Sequence, residues 1–275
     1  MSTVRFGCTT STFGGSLSGK LRAMKSAGFV TTELWSRDVF EHPEGPDIAN
    51  DLMRETGITV SVYQGLRNYE GMAANVRDHR LGVAELLMDQ MALVGADVLV
   101  LCSNTAVDSD GDHGRISEDL ARLGDLAQSR NIRIAYEALC WGRWIRDYRD
   151  AWNVVSAAGH DHVGIMLDCF HIFALGLPLD GIGEISARKI FLVEIADMPG
   201  CNLDLIELSR HYRLFPGEGV TPVADFVRRV RAVGYRGDYS LEVFNAHYLA
   251  SDPATVAERA MRSMTALFSG LGPAP

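Results

Sequence analysis

Short runs of β-branched and other apolar residues alternate with longer amphipathic segments along the chain. The short runs predict strands at 4–10, 31–35, 59–64, 97–103, 133–139, 163–170, 189–196 and 238–244. The amphipathic segments predict helices at 17–29, 47–57, 80–95, 116–131, 147–159, 182–187, 222–234 and 253–271, of which 182–187 has the weakest pattern. Eight strands, each followed by a helical segment, predict a (β/α)8 barrel. An open doubly wound sheet is the alternative.

Glycines mark the ends of several predicted helices. They stand just before the next strand, where a left-handed cap residue is expected, at Gly28, Gly57, Gly95, Gly159 and Gly234. No Pro/Ser-rich linker divides the chain. Residues 1–275 are therefore predicted to form one barrel domain, a length that this fold commonly has.

The composition is that of a globular protein with an acidic balance. Of the 275 residues, 47% are hydrophobic and 22% are charged, which argues against disorder. There are 26 Lys and Arg against 35 Asp and Glu, giving a formal net charge of −9. Nucleic-acid binding needs a basic face, so a nucleic-acid partner is not expected.

The cysteines and the chain's first residues bear on the compartment. Five cysteines are scattered without C-x-x-C spacing, which does not indicate a disulfide framework or a thiolate zinc site. No basic segment followed by an apolar run begins the sequence, and no apolar stretch reaches the ~18 residues of a membrane span. We expect a reduced, cytoplasmic protein without membrane contact. The oligomeric state stays open, with a homo-oligomer as one alternative.

Acidic residues occur inside the apolar runs of four consecutive strands. Enzymes with this fold carry their active sites at the carboxyl ends of the strands, so these acids should converge. Buried carboxylates repel one another unless a cation compensates them, and oxygen ligands favour Mg²⁺ or Mn²⁺, with Co²⁺ as a further alternative. The predicted ligands are Glu137, Asp168, Glu194 and Glu242. Glu33, on the opposite side of the barrel, is expected to be a structural carboxylate.

A histidine follows one of these acids closely. His171 comes three residues after Asp168, so it should lie just above the metal on the loop after strand six. Histidine titrates near neutrality and can move protons for a metal-bound substrate. The alternative is that His171 only hydrogen-bonds a carboxylate.

Basic residues are expected on the same face. Arg67 follows strand three, and Arg210 and His211 lie in the long loop after strand seven. Arginine binds carboxylates strongly when the pair is desolvated, so a small anionic substrate would fit between these residues and the metal. Arg143 and Arg213 are expected to be surface residues.

The motifs resemble those of a known family. A barrel with carboxylates ending strands five to eight resembles the xylose-isomerase-like sugar isomerases and epimerases, and within that group the sequence is similar to the bacterial 3-dehydroshikimate dehydratases. The resemblance covers nearly the whole chain and rests on LCSN (101–104), IAYEALCWGR (134–143), LDCFHI (167–172), KIFLVEIAD (189–197), SRHYRLFPGEG (209–219) and YSLEVFN (239–245).

The resemblance implies a hydro-lyase that converts 3-dehydroshikimate to protocatechuate through a metal-stabilised enediolate and loss of water. It implies a place in quinate and shikimate degradation, with a biosynthetic pathway as the alternative. The residues it assigns are metal ligands at 137, 168, 194 and 242, an acid/base at His171, and substrate contacts at Arg67, Ser103, Arg210 and His211, with Arg67 also counted as catalytic. It implies Gln at the strand-seven ligand, where this sequence has Glu194.

Two other functions stay open at this stage. A ketose or sugar-acid isomerase or epimerase would use the same carboxylates, but a neutral sugar leaves the arginines without a charge to pair. A non-catalytic barrel would make Glu194 a sign of a site that has lost its chemistry. An abasic-site endonuclease is disfavoured by the acidic charge and by the shortage of histidine for a multi-zinc site.

Overall fold

Eight parallel strands, each paired with its neighbours in chain order, close into a barrel in the computed structural model, which describes residues 4–272. The first strand closes the barrel against the last, with Phe6 opposite Tyr239. The predicted (β/α)8 barrel is confirmed, and the open sheet is excluded. The strands are β1 (Phe6–Thr9), β2 (Thr31–Trp35), β3 (Thr59–Leu66), β4 (Val98–Cys102), β5 (Arg133–Glu137), β6 (Val163–Asp168), β7 (Ile190–Ile195) and β8 (Tyr239–Leu241).

Helices surround the barrel. They are α1 (Leu17–Ala27), α2 (Ser36–Phe40), α3 (Ile48–Thr56), α4 (Ala74–Val94), α5 (His113–Ser129), α6 (Tyr148–Ala158), α7 (Cys169–Ala174), α8 (Leu205–His211), α9 (Val223–Ala232), α10 (Ala246–Leu249) and α11 (Pro253–Gly270). The helix predicted at 182–187 is wrong. Short 3₁₀ turns at Asp180–Glu184 and Ala187–Lys189 stand there instead, because Gly181 and Gly183 disfavour an α-helix. A further 3₁₀ turn covers Thr10–Thr12.

The predicted glycine caps are present. Gly28 ends α1 with φ 97°, and Gly57 ends α3 with φ 64°. Both values lie in the left-handed region, which a side chain with a Cβ rarely adopts. These glycines let the chain turn from each helix into the following strand.

Apolar side chains form two packed layers. Strand residues that point into the barrel, among them Val62, Val100 and Met166, form an inner cluster. Residues that point outward pack against helix residues such as Leu21 and Leu120 in a larger outer cluster. All five cysteines are free. Within residues 4–272, no helix combines the length and apolar character that a membrane crossing requires.

The long segment after β7 is folded back over the mouth of the barrel. Asp197 accepts hydrogen bonds from the backbone N–H groups of Gly217, Gly219 and Thr221. Antiparallel bridges pair Asp197 with Leu214 and Tyr212 with Asn245. Residues 212–214 are thereby held against the carboxyl ends of β7 and β8, which is the face where this fold carries its active sites.

Candidate active site

Four carboxylates meet at the carboxyl ends of consecutive strands. Each offers an oxygen within 4.8 Å of the oxygens of the others, and all four side chains are buried. The strand register brings this about, because Glu194 on β7 pairs with Asp168 on β6 and with Ser240 on β8. The cluster consists of Glu137, Asp168, Glu194 and Glu242. The structure therefore brings together the four residues predicted as metal ligands.

Asp168 also starts a helix. Its Oδ1 accepts the backbone N–H of Phe170 at 2.8 Å, which makes it the N-cap of α7. A side chain that accepts this hydrogen bond satisfies one of the free N–H groups at the beginning of a helix. The orientation of this carboxylate is therefore fixed by the junction between β6 and α7.

Arg213 lies among the carboxylates. Its Nη1 is 2.8 Å from Oδ2 of Asp168 and 3.0 Å from Oε2 of Glu242, and its guanidinium stacks on the ring of Phe170 at 4.2 Å. The side chain is 1% exposed, so the prediction of a surface arginine is wrong. The reason is the folded-back segment, in which the N–H of Arg213 donates to the carbonyl of Phe244. Burial opposes the charge of Arg213, but the carboxylates outweigh burial and raise its pKa.

Glu33 is beside the cluster rather than isolated across the barrel. Nε2 of Gln64, on β3, donates to Oε2 of Glu33 and to Oε1 of Glu194, at 2.9 Å in both cases. All three side chains are buried. Burial raises the pKa of Glu33 to about 7 and the pKa of Glu194 well above its usual range. The expectation that Glu33 stands apart from the other acids is therefore corrected.

The donor set fits a hard divalent cation. Oε1 of Glu137 and Oε2 of Glu194 are buried and accept no hydrogen bond from the residues that the structure describes. A buried polar atom without a partner is costly, and coordination to a cation removes that cost. Four carboxylates also carry more negative charge than the guanidinium of Arg213 alone balances. Carboxylate oxygens are the ligands that hard divalent ions prefer.

His171 lies against the same cluster. Its Nε2 is 3.2 Å from Oε1 of Glu137 and 3.4 Å from Oδ2 of Asp168. Its Nδ1 lies 3.3 Å from the backbone nitrogen and 3.2 Å from Sγ of Cys140. Burial lowers the pKa of His171 to about 4, so the ring is neutral at physiological pH.

Two further arginines line the cavity above the carboxylates. Arg210 stacks between Trp141 and Phe244, 5.3 and 5.1 Å from the two ring centroids. Arg67 lines the same cavity from the end of β3. Burial lowers the pKa of Arg210, and the nearby charge of Arg67 acts in the same direction. The cavity thus holds two cationic groups that repel each other, and an anion between them would relieve this repulsion.

Two residues assigned to substrate contact lie elsewhere. Oγ of Ser103 accepts the backbone N–H of Leu139, and this buried residue is outside the cavity lining. His211 is 50% exposed, and its nearest acidic partner is Glu207, at 4.0 Å. Neither residue lines the cavity, so their substrate contacts stay predictions. The side chain of Arg143 is exposed, as expected.

Three residues of the site were not predicted from the sequence. Gln64 ends the predicted third strand, so the rule that active-site residues lie at strand ends could have indicated it. Trp141 lies within a quoted motif but carries no chemical signal of its own. Arg213 also lies within a quoted motif, but its inward direction depends on the bridges made by residues 212–214, which the sequence does not indicate.

Comparison with known proteins now identifies the family. The family model described as a xylose isomerase-like TIM barrel matches residues 21–267. The chain belongs to the xylose isomerase-like TIM barrel family. It is 36% identical over 255 residues to a 3-dehydroshikimate dehydratase of Pseudomonas putida, an alignment that covers 93% of this chain and 40% of that protein. An inosose isomerase of Bacillus velezensis is 26% identical over 133 residues, covering 48% of this chain and 47% of the other.

Solved structures of xylose isomerase-like barrels agree with this assignment. A xylose isomerase-like TIM barrel/4-hydroxyphenylpyruvate dioxygenase fusion protein superposes with a TM-score of 0.95 at 35% identity, covering 98% of this chain and 44% of the fusion protein. The chain therefore spans less than half the length of the dehydratase and of the fusion protein. The similarity concerns the barrel.

Proposed function

We propose that this barrel is a metal-dependent 3-dehydroshikimate dehydratase, which forms protocatechuate and water. The observation that carries the proposal is the pairing of two elements in one cavity, a carboxylate cluster suited to a divalent cation and two arginines suited to an anion. The Pseudomonas relatives named as 3-dehydroshikimate dehydratases support this substrate.

The arginines would bind the substrate's carboxylate. Arg67 and Arg210 line the cavity with their charges close enough to lower the pKa of Arg210. A carboxylate between them gains charge-assisted hydrogen bonds and removes the repulsion between the two cations. The ring of Trp141 against Arg210 restricts the orientation of that guanidinium.

Glu137, Asp168, Glu194 and Glu242 would hold the metal, which we propose to be Mg²⁺ or Mn²⁺, with Co²⁺ as an alternative. When bound, such an ion acts as a Lewis acid that stabilises negative charge on the substrate's keto oxygen. Arg213 pairs with Asp168 and Glu242 and keeps part of the cluster's charge neutralised.

His171 would transfer the proton. The carbon next to the ketone loses a proton, the neighbouring carbon loses hydroxide as water, and the ring then rearranges to the aromatic product. The tautomer that serves as base carries its proton on Nδ1, which donates to Sγ of Cys140 at 3.2 Å. Nε2 is then unprotonated, so it can take up the substrate's proton and pass it to the departing hydroxide. Because its pKa is about 4, His171 is unprotonated before the reaction and has the form required of a base.

The proposal is tested by adding 3-dehydroshikimate to the protein loaded with Mn²⁺ or Mg²⁺. We expect protocatechuate absorbance to appear, to stop after chelation and to return when metal is added back. Glu137→Gln should lose at least about 100-fold in kcat, in the range seen when a positioned charged group is removed. Glu258→Gln, an exposed change on α11, is the control. No product from the metal-loaded wild-type protein would refute the proposal.

An isomerase or epimerase acting on a cyclic or open-chain polyol ketone is the second candidate. The observation that favours it is the similarity of about half the chain to inosose isomerases. The arginine pair weighs against it, because a neutral polyol has no charge to place between Arg67 and Arg210. A panel of ketoses and inososes, assayed with the same metal-loaded protein, separates the two functions.

A further inference from the structure

Gln64 joins two carboxylates that stand on different strands. Its Nε2 is 2.9 Å from Oε2 of Glu33 on β2 and 2.9 Å from Oε1 of Glu194 on β7. An ionised carboxylate only accepts hydrogen bonds, whereas a carboxamide has a donating and an accepting end. When both carboxyl groups are ionised, as in a metal-bound site above the pKa of Glu33, they require the nitrogen of Gln64, not its oxygen, to face them. The amide orientation follows from this hydrogen-bond network.

This contact decides which oxygen of Glu194 is free. Oε1 is occupied by Gln64, and Oε2 is buried without a hydrogen-bond partner in the described part of the chain. Glu194 is thus held with Oε1 hydrogen-bonded to Gln64 and with Oε2 available to a metal ion. A hydrogen bond to a metal ligand commonly fixes its orientation in this way.

We propose that Gln64 is the positioning residue for Glu194 as a metal ligand, and that Glu33 holds the Gln64 amide with its nitrogen toward Glu194. The proposal rests on the proposed function, since it concerns the metal of that reaction. It explains why a carboxylate suits position 194 in this chain, where the resemblance to the dehydratases implies an amide.

An amide at position 194 would conflict with this arrangement. To coordinate a metal, it must turn its oxygen toward the cluster and its NH₂ group toward Gln64. Two donors would then meet, so Gln64 would have to rotate its amide and present its oxygen. That oxygen would then face the carboxylate of Glu33, which has no proton to donate when it is ionised.

The first experiment replaces Gln64 with an apolar residue of similar length. Gln64→Met should weaken Mn²⁺ binding by about 10- to 100-fold, which is typical when a hydrogen-bond partner of a ligand is lost. Isothermal titration gives the Kd, and the Mn²⁺ electron paramagnetic resonance spectrum reports the change in ligand geometry. Gln90→Met makes the same change on α4, where Oε1 of Gln90 has no hydrogen-bond partner among residues 4–272, and should leave the Kd unchanged.

The second experiment compares Glu194→Gln with Glu33→Gln/Glu194→Gln at pH 8. The single variant should bind Mn²⁺ at least about tenfold more weakly than the wild-type protein, because a ligand charge is lost and the donors conflict. The double variant should recover part of that loss, since an amide at position 33 can donate to the rotated Gln64. Loss of a second negative charge would by itself weaken Mn²⁺ binding further. The proposal therefore predicts a lower Kd for the double variant than for Glu194→Gln, whereas charge alone predicts a higher Kd.

The outcomes distinguish a failure of the proposed function from a failure of the positioning role of Gln64. A wild-type protein that binds none of Mn²⁺, Mg²⁺ and Co²⁺ would refute the proposed function. A wild-type protein that binds Mn²⁺, with Gln64→Met no weaker than Gln90→Met, would overturn the positioning role alone. Equal or weaker binding by the double variant than by Glu194→Gln would also overturn it. The melting temperature of each metal-free variant is measured alongside, and a Kd that changes only in parallel with it would count against the proposal.

Discussion

The guanidinium of Arg213 donates to Oδ2 of Asp168 at 2.8 Å, inside the ring of carboxylates. Arg213→Met leaves Asp168 and Glu242 without this partner. We expect the metal-free protein to lose about 3–5 kcal/mol of unfolding free energy, the usual cost of removing one member of a buried ion pair. Denaturant titration measures the loss, and bound Mn²⁺ should reduce it. Arg143→Met, at an exposed position, should change stability by no more than about 0.5 kcal/mol. Equal effects of the two variants would contradict the role given to Arg213.

Arg67→Met and Arg210→Met should chiefly raise KM. Each removes one charge-assisted hydrogen bond to the substrate's carboxylate, a contact worth about 1.5–3 kcal/mol, or roughly 10- to 150-fold in binding. Steady-state kinetics with 3-dehydroshikimate checks this, with Arg143→Met as the control. A simple competing carboxylate should inhibit the wild-type protein more strongly than either variant. An unchanged KM in both variants would show that the anion binds elsewhere.

His171 and His211 give a matched pair of histidine variants. His171→Gln should lower kcat by about 10²- to 10⁴-fold, because a positioned proton-transfer group is removed. His211→Gln should leave kcat within about twofold, since the side chain is half exposed and lies away from the carboxylates. The same assay measures both variants. A large loss of kcat in His211→Gln would indicate that His211 does contact the substrate.

Glu70 should make stability depend on pH. Burial raises its pKa to about 7, while Tyr136 and the N–H of Asn104 donate to Oε1. Because the folded state binds this proton more tightly, the contribution of Glu70 is complete below about pH 4 and is lost as the pH rises through about 7. The loss is about 3 kcal/mol.

Denaturant unfolding of the metal-free protein between pH 5 and 8 tests this prediction. The wild-type protein should lose stability relative to Glu70→Gln as the pH rises. Glu118→Gln, an exposed change on α5, should follow the wild-type curve. The raised pKa values of Glu33 and Glu194 make stability fall with pH in the same way in all three proteins. The difference between the wild-type and Glu70→Gln curves of unfolding free energy therefore reports Glu70 alone. Parallel curves for wild type and Glu70→Gln would refute the prediction.

The alternation of apolar runs and amphipathic segments was sufficient to predict the barrel. All eight strands and the long helices are present. The strands are buried on both faces and form short continuous apolar runs, and the helices bury one face and repeat apolar residues with the helical period. The short helices α2, α7, α8 and α10 have four to seven residues. Such segments complete too few turns for a periodic pattern, so the sequence does not predict them.

The site was predictable where it depends on strands and unpredictable where it depends on loops. Glu137 and Asp168 end parallel strands, so their convergence follows from the topology. The direction of Arg213 follows from backbone bridges between distant segments. His211 lies one residue beyond Arg210 on α8, and one residue on a helix turns the side chain by about 100°. The quoted motif includes both residues, but only Arg210 lines the cavity.

The N-cap bond of Asp168 links local folding to chemistry. One oxygen of this residue starts helix α7 and the other lies among the charges of the site. Asparagine would keep the cap and lose the charge, whereas glutamate would keep the charge and move it by one methylene away from the cap. Few substitutions satisfy both demands. Natural variation and redesign of this barrel should therefore concentrate on the opposite side of the cluster, where Glu194, Gln64 and Glu33 can change as a group without disturbing the start of a helix.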